Sequence, residues 1–323
     1  MGQYWVILNL DKRERGPGVG AKLGEFIFNP LHQLVELFTV PVKSSDGPPP
    51  SLVPHNGEKR TLGYLAFPSE LLRMVFNYIE APEDVVRLTV VNKMLTVFGR
   101  DRLQELVMQA ASSSSWSGGR IICLGDNAST LPPGMLTDTE KERLEGLRVS
   151  QEMDTASEVL YEIGSEGYRR GGQRDLTSNL CFSWTRPSDD LYTRWRISRR
   201  HRSRGSTLIR SVELTRPEGK IWVLCNISKR EYVRVDALAS ITNASPESAF
   251  INDGCNLGMA IVILTAWTYE GGDEDVGCGP WAGDRLQIIP FDTLADAEGW
   301  KDISSTAVRL INHCRSYYGI DDE

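Results

Sequence analysis

The chain has 323 residues, of which 41% are hydrophobic and 24% charged, with a formal net charge of -7 at neutral pH. This length is enough for roughly two domains, and the composition is typical of a globular protein, which excludes a disordered or collagen-like chain. The negative net charge argues against nucleic acid as the main partner, because it repels phosphates.

The first residues, MGQYWVILNL, are followed by a charged stretch, and they lack the basic, apolar and cleavage regions of a secretory signal. The longest apolar stretch, residues 257–269, is too short to cross a bilayer. Six cysteines and four histidines are scattered without the spacing of a zinc site. The sequence therefore predicts a cytoplasmic or nuclear protein that needs no membrane, metal or cofactor.

A β-strand is the first predicted element, in the segment YWVILNLDKRE at residues 4–14. A run of Val, Ile and Trp that ends in a charged turn is typical of a strand. The segment returns as IWVLCNISKRE at residues 221–231, with these identical pairs: Trp5/Trp222, Val6/Val223, Asn9/Asn226, Lys12/Lys229, Arg13/Arg230 and Glu14/Glu231. So many identities in a short window indicate two copies of one module.

A glycine turn followed by a buried strand is predicted in WSGGRIICLGD at residues 116–126 and again in WAGDRLQIIPFD at residues 281–292. A weaker match sets residues 23–24 opposite residues 257–258, each before an apolar, helical stretch. Each copy then reads strand, helix, turn, strand. The predicted fold class is α+β, with two diverged copies of a small strand-helix-turn-strand module.

The first copy is longer than the second. Trp5 and Trp116 are 111 residues apart, whereas Trp222 and Trp281 are 59 residues apart, which indicates an inserted segment. The predicted organisation is a first module split over 1–41 and 111–150, a Pro- and Gly-rich linker at 42–61, a three-helix insertion at 62–110, a connecting region with a basic loop at 151–219, and a second module at 220–323.

Helical spacing of apolar residues predicts the three helices of the insertion, the first of which begins at Pro68. The segment resembles an F-box, although Leu95 stands where many F-boxes carry Trp and Asn92 where they often carry Cys. The positions that carry the resemblance are Pro68, Glu70, Leu71, Leu72, Val75, Phe76, Ile79, Asp84, Val85, Leu88, Val91 and Lys93.

The F-box resemblance implies that part of the apolar surface docks onto the Skp-type adaptor of a cullin ubiquitin ligase. The adaptor-binding residues that it implies are Pro68, Leu71, Leu72, Val75, Phe76, Ile79, Val86, Leu88 and Val91. Exposure of the apolar stripe of Leu72, Val75, Phe76 and Ile79 would favour the adaptor role, and packing of the stripe inside would favour a functional cleft between the duplicated modules. Two further alternatives are a plain three-helix insertion that binds no partner, and a relic that kept its fold and lost its partner.

The chain as a whole resembles a fungal, mainly basidiomycete, family of uncharacterised F-box-like proteins. The resemblance is carried by segments that include MGQYWVILNLDKRE, AKLGEFIF, WSGGRIICLGD, LPPGMLT and SKREYVR. It implies no particular activity.

The function that these patterns predict is protein interaction, as an F-box substrate receptor whose duplicated modules present a surface to a target protein. The alternative is an enzyme or small-ligand-binding protein with a cleft between the modules, lined by Arg120, Asp126, Asp284, Arg285 and Asp292. The sequence shows no catalytic triad and no Walker or dinucleotide loop, which favours binding over catalysis.

Three further patterns bear on the fold. Thr137 and Glu140 form a capping-box pattern that predicts a helix start. The stretch RWRISRRHRSRG at residues 194–205 predicts an exposed basic loop, with nucleic-acid binding as the alternative. The repeated Trp, Gly and Arg residues are interpreted as fold determinants, in which Arg can pair with a carboxylate of the opening segment such as Glu14 or Glu231.

Overall fold

The structure is a computed structural model that describes residues 3–17, 20–28, 31–40, 67–171, 205, 207–209, 211–212, 220–243, 255–268, 277–294 and 297–317. It confirms a mixed helix-and-sheet fold. The predicted linker at 42–61 and all of the basic loop except Gly205 lie outside the described residues. None of the helices in the described ranges has the length and apolar character that a membrane crossing requires.

The chain divides into two compact units. The first, here called the sheet unit, comprises Met1–Val40, Ser115–Gln173 and Gly219–Glu323. The second, here called the helical unit, comprises Pro41–Ser114 and Arg174–Glu218. Each unit is therefore assembled from separate stretches of the chain.

The sheet unit contains one mixed sheet and seven described helices. Its strands are β1 (Tyr4–Asn9), β2 (Glu14–Arg15), β3 (Ala21–Lys22), β4 (Gly119–Gly125), β5 (Arg169–Arg170), β6 (Trp222–Asn226), β7 (Glu231–Arg234), β8 (Ala266–Trp267), β9 (Arg285–Pro290) and β10 (Lys301–Asp302). Its helices are α1 (Leu23–Phe28), α2 (His32–Phe38), α6 (Asp138–Gln151), α7 (Ala156–Glu162), α8 (Val235–Ala239), α9 (Leu257–Thr265) and α10 (Ser304–Tyr317).

The strand order β10-β7-β6-β9-β4-β1-β2-β5 repeats the same arrangement from either edge. In the first half, β1 pairs antiparallel with β4 from Trp5 opposite Gly125 to Asn9 opposite Ile121. In the second half, β6 and β9 pair in the corresponding register. The halves join where Arg120 of β4 lies opposite Arg285 of β9.

The outer strands of the two halves also correspond. β5 pairs in parallel with β2, with Arg169 opposite Glu14. β10 pairs in parallel with β7, with Lys301 opposite Glu231. The position of the strands within the sheet therefore follows one plan in both halves.

Each half contributes a helix that reaches the central strand of the other half. Thr39, directly after α2, forms a parallel bridge with Ile288 of β9. Conversely, α9 leads into β8, where Ala266 pairs in parallel with Cys123 of β4. These pairings make α2 the counterpart of α9, and not the helix after residues 23–24 that the weaker sequence match suggests.

The same tight turn follows β1 and β6. In the first, the Asn9 side-chain oxygen accepts a hydrogen bond from the Lys12 backbone N–H at 3.0 Å, and Asn226 accepts from Lys229 at the same distance in the second. The residues that follow, Arg13 and Arg230, have positive φ angles of 52° and 55°. The N-x-x-K-R pattern of the sequence thus encodes a side-chain-closed turn.

Buried apolar residues line both faces of the sheet in the first half. Alternate residues point to opposite faces, so Trp5 and Ile7 lie on one face, and Val6 and Leu8 on the other, all buried. The face that carries Val6 and Leu8 forms one buried cluster with residues of α6 and α7, namely Leu144, Val159 and Leu160. Helix α9, with every residue buried, contacts β4.

The helical unit contains α3 (Ser69–Asn77), α4 (Pro82–Val91), a 3₁₀ turn (Lys93–Leu95) and α5 (Thr96–Ser114). These are the three helices that the sequence predicts, and Pro68 precedes the first of them. The core of the unit also includes Leu208, Ile209 and Val212, which lie in the region that the sequence predicts as a connection. The helices therefore share their core with a second chain segment.

Candidate functional site

Helix α3 has three sectors around its axis, which set the candidate docking surface. Leu72 and Phe76, one turn apart, are buried in the core of the helical unit. The Phe76 ring also stacks on Phe98 of α5, with 6.3 Å between the ring centroids. This sector holds the helix in place.

A second sector of α3 is apolar but exposed, and it is here called the outer stripe. It consists of Leu71, Met74, Val75 and Tyr78, which are 46%, 52%, 40% and 83% exposed. Their spacing of three and four residues places them along one side of the helix. Exposed apolar residues so arranged are typical of an interaction surface rather than of scattered surface residues.

The third sector of α3 is polar, with Ser69, Arg73 and Asn77 all exposed. Further exposed apolar side chains of the unit are Phe67, Val91, Met94 and Val97. The outer stripe is thus bounded on its own helix by a core-facing sector and a polar sector.

The predicted adaptor-binding residues divide between these surfaces. Leu72, Phe76 and Val86 are buried, and Ile79 and Leu88 are partly buried. The exposed members are Pro68, Leu71, Val75 and Val91. Of the predicted stripe of Leu72, Val75, Phe76 and Ile79, most is packed inside, because Leu72 and Phe76 are buried, Ile79 is partly buried, and Val75 alone of the four is exposed. Met74 and Tyr78 were missed, although their spacing from Leu71 is the signal that identifies them.

Close packing of α4 on α5 supports this surface from within. A Cβ atom added to Gly99 would lie 1.7 Å from Oγ1 of Thr89, so the helices cross where only glycine fits. The Arg102 side chain donates a hydrogen bond to the carbonyl oxygen of Ile79 at 3.0 Å, which ties the end of α3 to α5. These contacts make the outer stripe a pre-organised surface.

A second candidate region lies at the junction of β4 and β9, where the sequence predicts a cleft. The Arg120 guanidinium is 2.6 Å from the Asp11 carboxylate and 2.7 Å from that of Glu140. Arg285 lies 2.8 Å from Asp11 and also donates to the carbonyl oxygen of Gly118 at 2.7 Å. One aspartate therefore joins the arginines of the two halves.

These ion pairs fix the charge states of the junction. The hydrogen bond from Arg120 lowers the pKa of Glu140 to about 2, against the opposing effect of burial and with help from Thr137. Burial acts to raise the pKa of Asp11, but the hydrogen bonds from Arg120 and the charges of Arg120 and Arg285 outweigh it and lower the pKa. Both carboxylates are charged at neutral pH, so neither is suited to act as a general acid there.

The other predicted cleft residues do not join this cluster. Asp126 follows the end of β4 and accepts a hydrogen bond from the Tyr4 backbone N–H. Asp292 follows the end of β9 and pairs with Lys220. The cleft prediction therefore brings together only Arg120 and Arg285.

Asp284 has a structural partner set of its own. Its carboxylate accepts a hydrogen bond from the Asn226 side chain at 2.8 Å and lies 3.0 Å from the Lys229 ammonium group. In the first half the corresponding position is Gly119, and the side-chain nitrogen of the buried Asn9 has no hydrogen-bond partner. The side-chain nitrogen of this asparagine therefore donates to a carboxylate in the second half and lacks a hydrogen-bond partner in the first.

Trp116 and Trp281, the tryptophans of the repeated glycine-turn segment, are the largest fully buried side chains of the described residues. The indole N–H of Trp116 donates to the Glu14 carboxylate at 2.7 Å, and that of Trp281 donates to Glu231 at 2.8 Å. The repeated arginines do pair with a carboxylate of the opening segment, as predicted, but it is Asp11 rather than Glu14 or Glu231. Burial of the tryptophan leaves its N–H in need of an acceptor, which explains the partner.

No cluster of three His, Cys, Asp or Glu side chains suited to a metal ion occurs among the described residues. Burial raises the pKa of Cys225 and of Cys314 to about 12 and also raises that of Cys123. These thiols are therefore protonated and unreactive at neutral pH. Cys181 lies outside the described residues.

Comparison with known proteins gives no match, because no family model, no curated protein and no solved structure is significantly similar to the chain. The assignment of function rests on the residues and their geometry.

Proposed function

We propose that the protein is an F-box-type substrate receptor whose helical unit docks onto the Skp-type adaptor of a cullin ubiquitin ligase. The observation that carries the proposal is the outer stripe, Leu71, Met74, Val75 and Tyr78, exposed on a helix that matches the F-box sequence pattern. An amphipathic helix that presents such a stripe fits an apolar groove on a partner.

The division of α3 into sectors supports this role. Leu72 and Phe76 already anchor the helix in its own core, so the outer stripe is not needed for folding of the unit. Its burial by a partner is a favourable contribution of roughly 25 cal/mol per Å² of apolar area before the costs of association. The proposal places the complex in the cytoplasm or nucleus, where such ligases act.

The sheet unit is proposed to consist of two diverged copies of one module and to present the target-binding surface. The common strand order and the paired registers of its halves support the duplication, as do the two Trp–Glu hydrogen bonds. The fungal family resemblance stays a proposal that rests on the quoted sequence segments.

The alternative prediction is an enzyme or ligand-binding protein with its site between the copies. The packing of Leu72 and Phe76 inside the helical unit is the one observation on its side. Against it, Arg120 is already paired with both Asp11 and Glu140, and Asp126 and Asp292 have partners elsewhere.

The test is calorimetric titration of the purified full chain with a fungal Skp-type adaptor. The informative variant is Leu71→Asp with Val75→Asp, which we expect to weaken binding at least about tenfold while the thermal unfolding midpoint stays nearly unchanged, because both residues are exposed. The matched control, Ser69→Asp with Asn77→Asp, adds the same charge in the polar sector and should bind like the wild type.

Substitution of Leu72 and Phe76 is a poor test, because these buried residues hold the unit together. A folded wild-type chain that does not bind the adaptor, or an outer-stripe variant that binds as well as the control, would contradict the proposal.

A further inference from the structure

One face of the sheet is covered differently in its two halves. In the first half, residues 126–168 between β4 and β5 supply the helices α6 and α7. In the second half, the described residues between β9 and β10, 291–294 and 297–300, form two short 3₁₀ turns, Phe291–Thr293 and Ala297–Gly299. Within its described residues, this connection therefore supplies no covering helix to the second half.

Side chains at equivalent positions show the consequence. Leu10, after β1, is 5% exposed, whereas its counterpart Ile227, after β6, is 36% exposed. The Arg120 side chain is 15% exposed, whereas that of Arg285 is 47% exposed. The second half is thus open at the start of β9, where the first half is closed.

The interior of that open area is less completely covered as well. Gln287 and Ile289 of β9 are partly exposed, whereas their counterparts Ile122 and Leu124 of β4 are fully buried. Toward the end of β9, Phe291 and Trp300 pack against the sheet. The least covered part is therefore the patch of Ile227, Arg285 and Gln287, here called the open patch.

Helix α6 shows which ligand such a patch accepts. Its capping-box residue Glu140, in the first turn, forms a two-bond ion pair with Arg120, at 2.7 and 2.9 Å. One turn further along α6, Leu144 belongs to the same buried cluster as Leu10 and Ile122. On the first half, the carboxylate in the first turn of α6 therefore pairs with the arginine of β4. The apolar residue one turn later packs in the same cluster as the apolar strand residues beside that arginine.

We propose that the open patch binds an amphipathic helix of a target protein, with a carboxylate in the first turn that pairs with Arg285 and an apolar residue one turn later that covers Ile227. This helix occupies on the second half the place that α6 occupies on the first. The inference rests on the proposed function only in naming the owner of the helix as the target of the ligase.

The charge near the patch favours an acidic helix end. Among the described residues, Arg285 has one carboxylate partner, Asp11, which it shares with Arg120. Lys229, two residues after Ile227, is 47% exposed, although its ammonium group also lies 3.0 Å from the Asp284 carboxylate. A helix N-terminus with a Glu or Asp is attracted to these cations, and the acid also favours the helix dipole.

The probe is a peptide of residues 131–152 of this chain, which contains α6, held helical by a lactam bridge between Lys141 and Glu145. Both bridged side chains are solvent-exposed in the structure. Fluorescence anisotropy with the full-length protein should give saturable binding with a Kd of about 100 μM or tighter. The face of the first half is already occupied by α6 itself, so the signal reports the second half.

Variants locate the contact. In the full-length protein, Arg285→Gln and Ile227→Asp should each weaken peptide binding at least about fivefold. The control substitution in the same protein, Val149→Asp on the exposed side of α6, should leave peptide binding unchanged. A Glu140→Gln peptide should bind the wild type several times more weakly, yet bind the Arg285→Gln protein no worse than the unchanged peptide does, because the pair is already broken.

Three results would overturn the proposal: no saturation by the helical peptide up to about 1 mM, equal binding to all protein variants, or a self-association of the full chain that Ile227→Asp abolishes, which would make a second copy the occupant. No adaptor is present in these measurements. Failure here and failure of adaptor docking are therefore separate outcomes.

Discussion

The two halves of the sheet share their backbone plan and differ in what surrounds it. Both pair their strands in the same register, and both bury a tryptophan that donates to a glutamate. Yet Arg120 lies in a closed ion-pair network, whereas Arg285 is largely exposed. The shared features are those that define the module, and the differences lie where each half meets solvent or a covering helix.

The largest expected effect is equal in both halves. Trp116→Ala and Trp281→Ala should each lower the free energy of unfolding by about 3–5 kcal/mol, because each removes a fully buried side chain and leaves a glutamate without its donor. Urea unfolding of the two variants provides the measurement. A large loss of unfolding free energy in only one of the two variants would show that the two tryptophans are not equivalent.

The next effect should distinguish the halves. Arg120→Ala leaves both Asp11 and Glu140 without that partner, and we expect a loss of about 2–3 kcal/mol. Arg285→Ala removes a more exposed ion pair and should cost about 1 kcal/mol or less. Parallel urea titrations compare them, and equal losses would show that the cover by α6 does not strengthen the first network.

A smaller effect concerns the positions that differ, Gly119 and Asp284. Asp284→Ala removes the acceptor of the buried Asn226 amide, which should cost about 1–2 kcal/mol. At the other site, Gly119→Ala places a Cβ 2.6 Å from the Asn9 side-chain nitrogen and should cost about 1–3 kcal/mol through overpacking. Thermal unfolding tests both, and a neutral Gly119→Ala would mean that the Asn9 side chain moves to make room for a Cβ at this position.

The smallest effect is a pH dependence specific to the first half. The pKa of Glu140 is lowered in the folded protein from 4.5 to about 2, so its contribution to stability is complete above the unfolded value and is lost as the pH falls toward 2. We expect that contribution to be below about 1 kcal/mol, because the pair is partly exposed to solvent.

Unfolding measured between pH 6 and pH 2 for Glu140→Gln, with Glu142→Gln on the exposed side of the same helix as control, tests this pH dependence. The loss of unfolding free energy on acidification should be smaller in Glu140→Gln than in the wild type, and the same as in the wild type in Glu142→Gln. An unchanged profile would contradict the assignment.

Local patterns in the sequence predicted local structure well. The continuous runs of Val, Ile and Trp that end in a charged turn predicted β1 and β6, and the Thr137–Glu140 capping box is present at the start of α6. The partners of the charged and aromatic residues were not predictable, since Glu14 and Trp116 meet through a fold that brings distant segments together. Residue spacing carries no information on such pairs.

The surfaces of α3 were only partly predictable for a related reason. Leu71, Leu72, Val75 and Phe76 are all apolar, so the pattern identifies a helix but not which of its apolar sectors faces the core. The contribution of Leu208 and Ile209 to that core decides it, and these residues lie far away in the sequence.

The measurement that tests the central claim most directly is hydrogen exchange of the full chain with and without the Skp-type adaptor, followed by mass spectrometry. The account predicts added protection in residues 67–97, which contain the outer stripe, and none in the strands of the sheet unit. Unchanged exchange in 67–97 at saturating adaptor, or protection confined to the sheet unit, would contradict docking through α3.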